Sequence, residues 1–74
     1  MTVDPTGSVT VTVNGVARPA AAGSSLRALV DALGFAGRPI AVELDGEVVP
    51  RATLADRVLA GGERIEIVTF VGGG

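Results

Sequence analysis

The chain has 74 residues and carries 6 Lys+Arg, all of them arginine, against 8 Asp+Glu, a net charge of −2. That implies one domain, without the basic excess that nucleic acid or an anionic membrane surface demands. With no Cys, His or Lys, disulfides, Cys/His metal, haem or iron–sulfur sites and Cys–His, Ser–His or Schiff-base catalysis are excluded, so the chain is expected to be a substrate or carrier and not an enzyme.

No cofactor and no metal are expected. Hydrophobic residues make up 47% and aromatics 3%. The core must therefore be built from Val, Ala, Leu and Ile, and it is modest, since a chain of this size buries about 60% of its unfolded surface. No apolar run approaches the roughly 18 residues of a membrane span. Met1–Gly7 lacks a positively charged n-region and an apolar h-region, so no signal peptide is expected and a cytoplasmic setting is the default.

Residues 1–7, with Asp4, Pro5, Thr6 and Gly7, read as a flexible lead-in. Ser8 to Val13 alternates with period two and is rich in β-branched residues, which predicts a strand. Asn14-Gly15 is a hairpin signal, because both residues tolerate positive φ. Val16 to Ala20 is the return strand. A strict two-residue turn would set Arg18 opposite Val11 on the apolar face; a one-residue bulge at Gly15 avoids this and is the expected arrangement.

A helix follows. Ser24 or Ser25 caps it, Gly34 ends it, and Leu26, Leu29, Val30 and Leu33 form one apolar stripe. At about ten residues it needs a sheet to pack on. Ile40, Val42 and Leu44 alternate with Ala41, Glu43 and Asp45 as a third strand. Asp45-Gly46 turns the chain into a short edge strand, Glu47 to Pro50, where Pro50 cannot donate to a ladder. Thr53-x-x-Asp56 is read as the cap of a short helical turn carrying Leu54, Val58 and Leu59. Gly61-Gly62 breaks it, and Arg64 to Val71 is the last strand.

The fold class is α+β: a mixed sheet of four to five strands with one main helix on one face. The first and last strands are expected to be parallel neighbours at its centre. Residues 8–71 form the domain, and 72–74 form a flexible glycine tail.

That tail carries the functional signal. Gly72-Gly73-Gly74 directly follows an anchored strand. Three or four extended residues reach roughly 10–14 Å, enough to enter a partner's narrow active site. Glycine lets the backbone approach a nucleotide or metal closely. The reactive group would be the Gly74 carboxylate, a poor acyl donor until AMP transfer from ATP makes it a mixed anhydride. A sulfur nucleophile from a partner can then displace AMP and leave a thiocarboxylate. Along the last strand one face reads Arg64, Glu66, Val68, Phe70, and the other Ile65, Ile67, Thr69, Val71. The first turns from charged to apolar toward the tail. Val68 and Phe70 are thus either an exposed docking patch or surface covered by the Thr53–Leu59 segment.

Val11-Thr-Val-Asn14-Gly15, Ile40-Ala-Val through Asp45-Gly46-Glu-Val-Val49-Pro50-Arg51, and Glu66-Ile-Val-Thr-Phe-Val-Gly-Gly-Gly74, taken in that order, resemble the ThiS family. These are sulfur carriers of thiamine biosynthesis, and the resemblance covers roughly Ser8 to Gly74. It implies a ubiquitin-like β-grasp fold. It implies adenylation at Gly74, conversion to a thiocarboxylate and sulfur donation for thiazole formation. The implied partners are a ThiF-type adenylating enzyme and a ThiG-type thiazole synthase. Partner contacts are expected at Val68, Phe70, Val71, Pro50 and Arg51, with Pro50-Arg51 alternatively an edge-strand terminator and a solvated arginine. Leu54 stands where many members have tryptophan, and Gly62-Glu63 replaces the commoner Gly-Asp. Other readings are the small subunit of molybdopterin synthase, a carrier for cysteine synthesis, a ubiquitin-like modifier of lysines, or a binding module with an inert tail.

Overall fold

The computed structural model describes residues 7–70. Strands β1 (Ser8–Val13) and β2 (Val16–Ala21) form an antiparallel hairpin. Asn14 and Gly15 both adopt left-handed backbone, φ 49° and 84°, the conformation whose twist matches the flanking strands. The expected bulge at Gly15 is absent: Val13 pairs with Val16 and Val11 with Arg18. The core accepts this register because β2 is a margin strand and only Ala20 of its residues is buried. Arg18 is exposed and lines a groove with Val13, Val16, Leu33 and Phe35. Being exposed, it keeps its charge in water, so the register buries no unpaired cation. In this register the odd residues of β2 past Ala17 point their backbone away from β1, so Pro19 removes an N–H from the open margin and blunts it against stray pairing.

Helix α1 (Leu26–Val30) continues as a π-helical turn over Asp31–Phe35. Its start is the expected one: the Ser25 hydroxyl accepts from the Ala28 N–H at 3.0 Å. Its stop is also as expected, with Gly34 at φ 96°. Leu26, Leu29 and Val30 are buried. The wider final turn brings both Leu33 and Phe35 against the core, half-buried.

Strands β3 (Ile40–Leu44) and β4 (Glu47–Val49) form a second hairpin about Asp45-Gly46, again with both φ values positive. A 3-10 helix follows over Arg51–Asp56. Thr53 does not cap it. Thr53 lies inside the turn, and its backbone N–H and hydroxyl both donate to the Pro50 carbonyl, at 2.9 and 3.0 Å. Leu54 and Leu59 are buried as expected, whereas Val58 is 63% exposed. The reason is that residues 57–59 are extended, not helical. The Arg57 carbonyl accepts from Leu26 N–H at 2.7 Å, satisfying a free donor of the first turn of α1, and Leu59 N–H donates to the Ser24 carbonyl at 2.8 Å. Alternate side chains of such a segment face opposite ways.

Strand β5 (Arg64–Thr69) completes a five-stranded sheet in the order β2-β1-β5-β3-β4. β1 and β5 are parallel, and every other pair is antiparallel. The Gly7 carbonyl accepts from Ala22 N–H at 2.8 Å, which extends the β1–β2 ladder past Ser8↔Ala21. Helix α1 and the 3-10 helix cover one face over Val9, Val11, Val13, Val42, Ile65 and Ile67. The opposite face, with Thr10, Arg64, Glu66 and Val68, is open. No helix among the described residues is long and apolar enough to cross a membrane.

Candidate functional site

The strand that leads to the tail lies in the middle of the sheet. Ile65 is fully buried and Ile67 nearly so, which fixes β5 by its core face. On one flank β3 pairs with it from Leu44↔Ile65 to Ile40↔Thr69, and Phe70 N–H donates to the Pro39 carbonyl at 3.2 Å. On the other flank β1 pairs only through Thr12↔Arg64 and Val13↔Ile65. There the chain turns away at Asn14, and the Asn14 side chain takes over. Its Nδ2 donates to the Ile67 carbonyl at 3.2 Å, and its Oδ1 accepts from Ile67 N–H at 2.8 Å. The sequence reading saw only a turn residue here. The available signal was the choice of Asn, whose side-chain amide offers a separate donor and acceptor where Asp and Gly, which serve the same turn, do not.

Val68 and Phe70 lie on the open face, 50% and 57% exposed. The segment after β4 does not cover them, because Leu54 and Leu59 pack on the helix side. Val68 lies opposite Ala41 of β3. Further along the same face Glu43 and Glu66 oppose each other, so the patch is apolar at the tail end and acidic toward the far end. The chain's two phenylalanines both sit at the tail end. Phe35 is half-buried beside the connector, with the Arg38 guanidinium 5.6 Å from its ring centre.

Pro50 and Arg51 are exposed. Pro50 ends β4 and precedes the 3-10 helix. The Arg51 guanidinium donates to the Arg38 carbonyl, next to the Pro39 carbonyl that holds Phe70. Arg51 thus ties the turn after β4 to the connector at the base of the tail. Val71, expected as a partner contact, and the tail Gly72, Gly73 and Gly74, whose last residue is expected to carry the reactive carboxylate, lie outside the described residues.

The profile of the ThiS family matches residues 11–74, from the middle of β1 to the last glycine. The chain belongs to the ThiS family. The crystal structure of the thiamine biosynthesis protein ThiS from Geobacter metallireducens superposes with a TM-score of 0.75 at 32% identity, covering 89% of this chain and all of that one. The five-stranded mixed sheet with one main helix is accordingly the β-grasp fold, and the family is one of sulfur carriers. Two thiazole synthases are also similar. That of Paramagnetospirillum magneticum is 39% identical and that of Magnetococcus marinus 44% identical, each over 62 residues and 84% of this chain. The chain spans about a fifth of their length, 19% of each.

Proposed function

We propose that this ThiS-family chain carries sulfur as a thiocarboxylate on Gly74 for thiazole formation in thiamine biosynthesis. The observation that bears most weight is the family match through Gly74, joined to a base that is hydrogen-bonded as far as Phe70. The Gly74 carboxylate oxygen attacks the α-phosphorus of ATP, expelling pyrophosphate and forming an acyl adenylate. A hydrosulfide-equivalent nucleophile then adds to the carbonyl carbon, AMP leaves with the C–O electron pair, and a thiocarboxylate remains.

A ThiF-type adenylating enzyme supplies the catalytic groups for the first stage, because this chain has no Cys, His or Lys. A ThiG-type thiazole synthase is the acceptor; the likeness of the chain to part of two thiazole synthases supports that pairing. Val68, Phe70 and Val71 are the contacts for these enzymes beside the tail. Pro50 and exposed Arg51 border the same end, and Arg51 keeps further N–H donors for a partner beyond the one given to Arg38. The setting is cytoplasmic, and the chain acts as substrate, not catalyst.

Removing Gly74 tests the reading. Thiazole formation in a reconstituted system with both enzymes is expected to stop, with the thermal midpoint nearly unchanged. Continued thiazole formation by the shortened chain would refute the assignment.

A further inference from the structure

We infer that Asn14 is a positioning residue that fixes the strand leading to the C-terminal tail, by acting as a surrogate rung of the sheet on β5. The inference rests on the carrier reading above. Both hairpin turns of the chain grip β5 with the side chain of their first residue. At the start of β5, the Asp45 carboxylate accepts from Arg64 N–H at 2.8 Å. At its far end, Asn14 both donates to and accepts from Ile67. The residue types fit the two tasks. Asp45 needs only to accept, since its own N–H already donates to the Arg64 carbonyl at 2.8 Å. Asn14 must satisfy an N–H and a carbonyl together, which neither Asp nor Gly can do, although both would serve the left-handed turn equally well.

The consequence falls on the last stretch of β5 and on the exposed Val68 and Phe70. The backbone of Asn14 reaches only Ile65, through a 2.9 Å bond to its carbonyl. Without the amide, β5 would be held on the β1 flank no further than Ile65. Beyond Ile65 the strand would then be held from its β3 side alone, through the ladder to Thr69 and the Phe70–Pro39 bond. Val68 and Phe70, on a strand held from one side only, lose part of the fixed orientation in which they meet a partner, and a less pre-organised patch binds more weakly. Asn14 therefore acts on the handover through β5.

The test compares Asn14→Gly, Asn14→Asp and a stability control, Ser25→Ala, which removes the helix cap away from the tail. Asn14→Gly keeps the turn and its backbone bond but loses both side-chain bonds. The first readout is amide hydrogen exchange of the lone chain. In Asn14→Gly the Ile67 amide is expected to exchange at least about tenfold faster, while Leu26, bonded to Arg57, keeps its protection.

The second readout is pyrophosphate release by a ThiF-type enzyme at varied carrier concentration. Asn14→Gly is expected to raise KM about tenfold with kcat within about twofold, and Asn14→Asp to fall between it and wild type. Ser25→Ala is expected to leave both constants unchanged despite a similar loss of thermal stability. Unchanged Ile67 exchange in Asn14→Gly, or a KM equal to that of Ser25→Ala, overturns the inference. A wild-type chain that draws no pyrophosphate release counts against the carrier reading itself, and Ile67 exchange then decides whether Asn14 holds the strand.

Discussion

Truncating Phe70 to Ala separates a docking residue from a core residue, because the two predict opposite partitions of the damage. Phe70 is 57% exposed on the open face. Complete burial of such a side chain is worth about 2–3 kcal/mol, so the part already covered contributes about 1 kcal/mol to folding. In a domain of this size that lowers the thermal midpoint by about 4–8 °C. If Phe70 is instead an anchor in a partner's pocket, its loss from the complex costs at least about 2 kcal/mol, or roughly 30-fold in affinity. The assay pairs guanidinium unfolding of the free chain with titration calorimetry against a ThiF-type enzyme. Weakened binding of that order with a nearly intact fold is the expected result. Affinity unchanged within about threefold, or a stability loss near that of a core truncation, would refute the docking role.

Leu54→Ala is expected to destabilise by about 2–5 kcal/mol and Val58→Ala by no more than about 0.5 kcal/mol in the same unfolding assay, since Leu54 is buried and Val58 is not. Gly15→Ala meets no atom within 4 Å. Its cost, about 1 kcal/mol by thermal melt, is therefore purely that of holding a side chain at positive φ. Asp45→Ala removes the acceptor for Arg64 N–H and is expected to cost about 1–2 kcal/mol, with the loss showing as faster exchange of the Arg64 amide.

The period-two runs of β1 and β3, the apolar stripe of α1 and the two X-Gly turns were legible because each is a local pattern with a local cause. Ser25 and Gly34 mark the helix ends for the same reason. The hairpin register was not legible. The expected bulge assumed that the whole apolar face of β2 is buried, but the helix covers only Ala20, and an arginine at position 18 is tolerated at the sheet margin. Whether a face is covered depends on where the helix lies across the sheet, which no single element encodes.

The same limit explains Val58. Its spacing from Leu54 and Leu59 fits a helical turn, but the backbone there is drawn out by hydrogen bonds to Ser24 and Leu26, more than thirty positions earlier in the chain. At the candidate site, the exposure of Val68 and Phe70 followed from the strand's alternation once the helix was on the other face. The Asn14–Ile67 bonds span 53 positions, and only the parallel pairing of β1 with β5 makes them possible.

The most direct test of the account is the intact mass of the chain after incubation with ATP, a ThiF-type enzyme and sulfide, followed by fragmentation. The account predicts a gain of about 16 Da, oxygen exchanged for sulfur, confined to the fragment ending at Gly74. An unchanged mass with a demonstrably active enzyme, or a modification on any other residue, would contradict it.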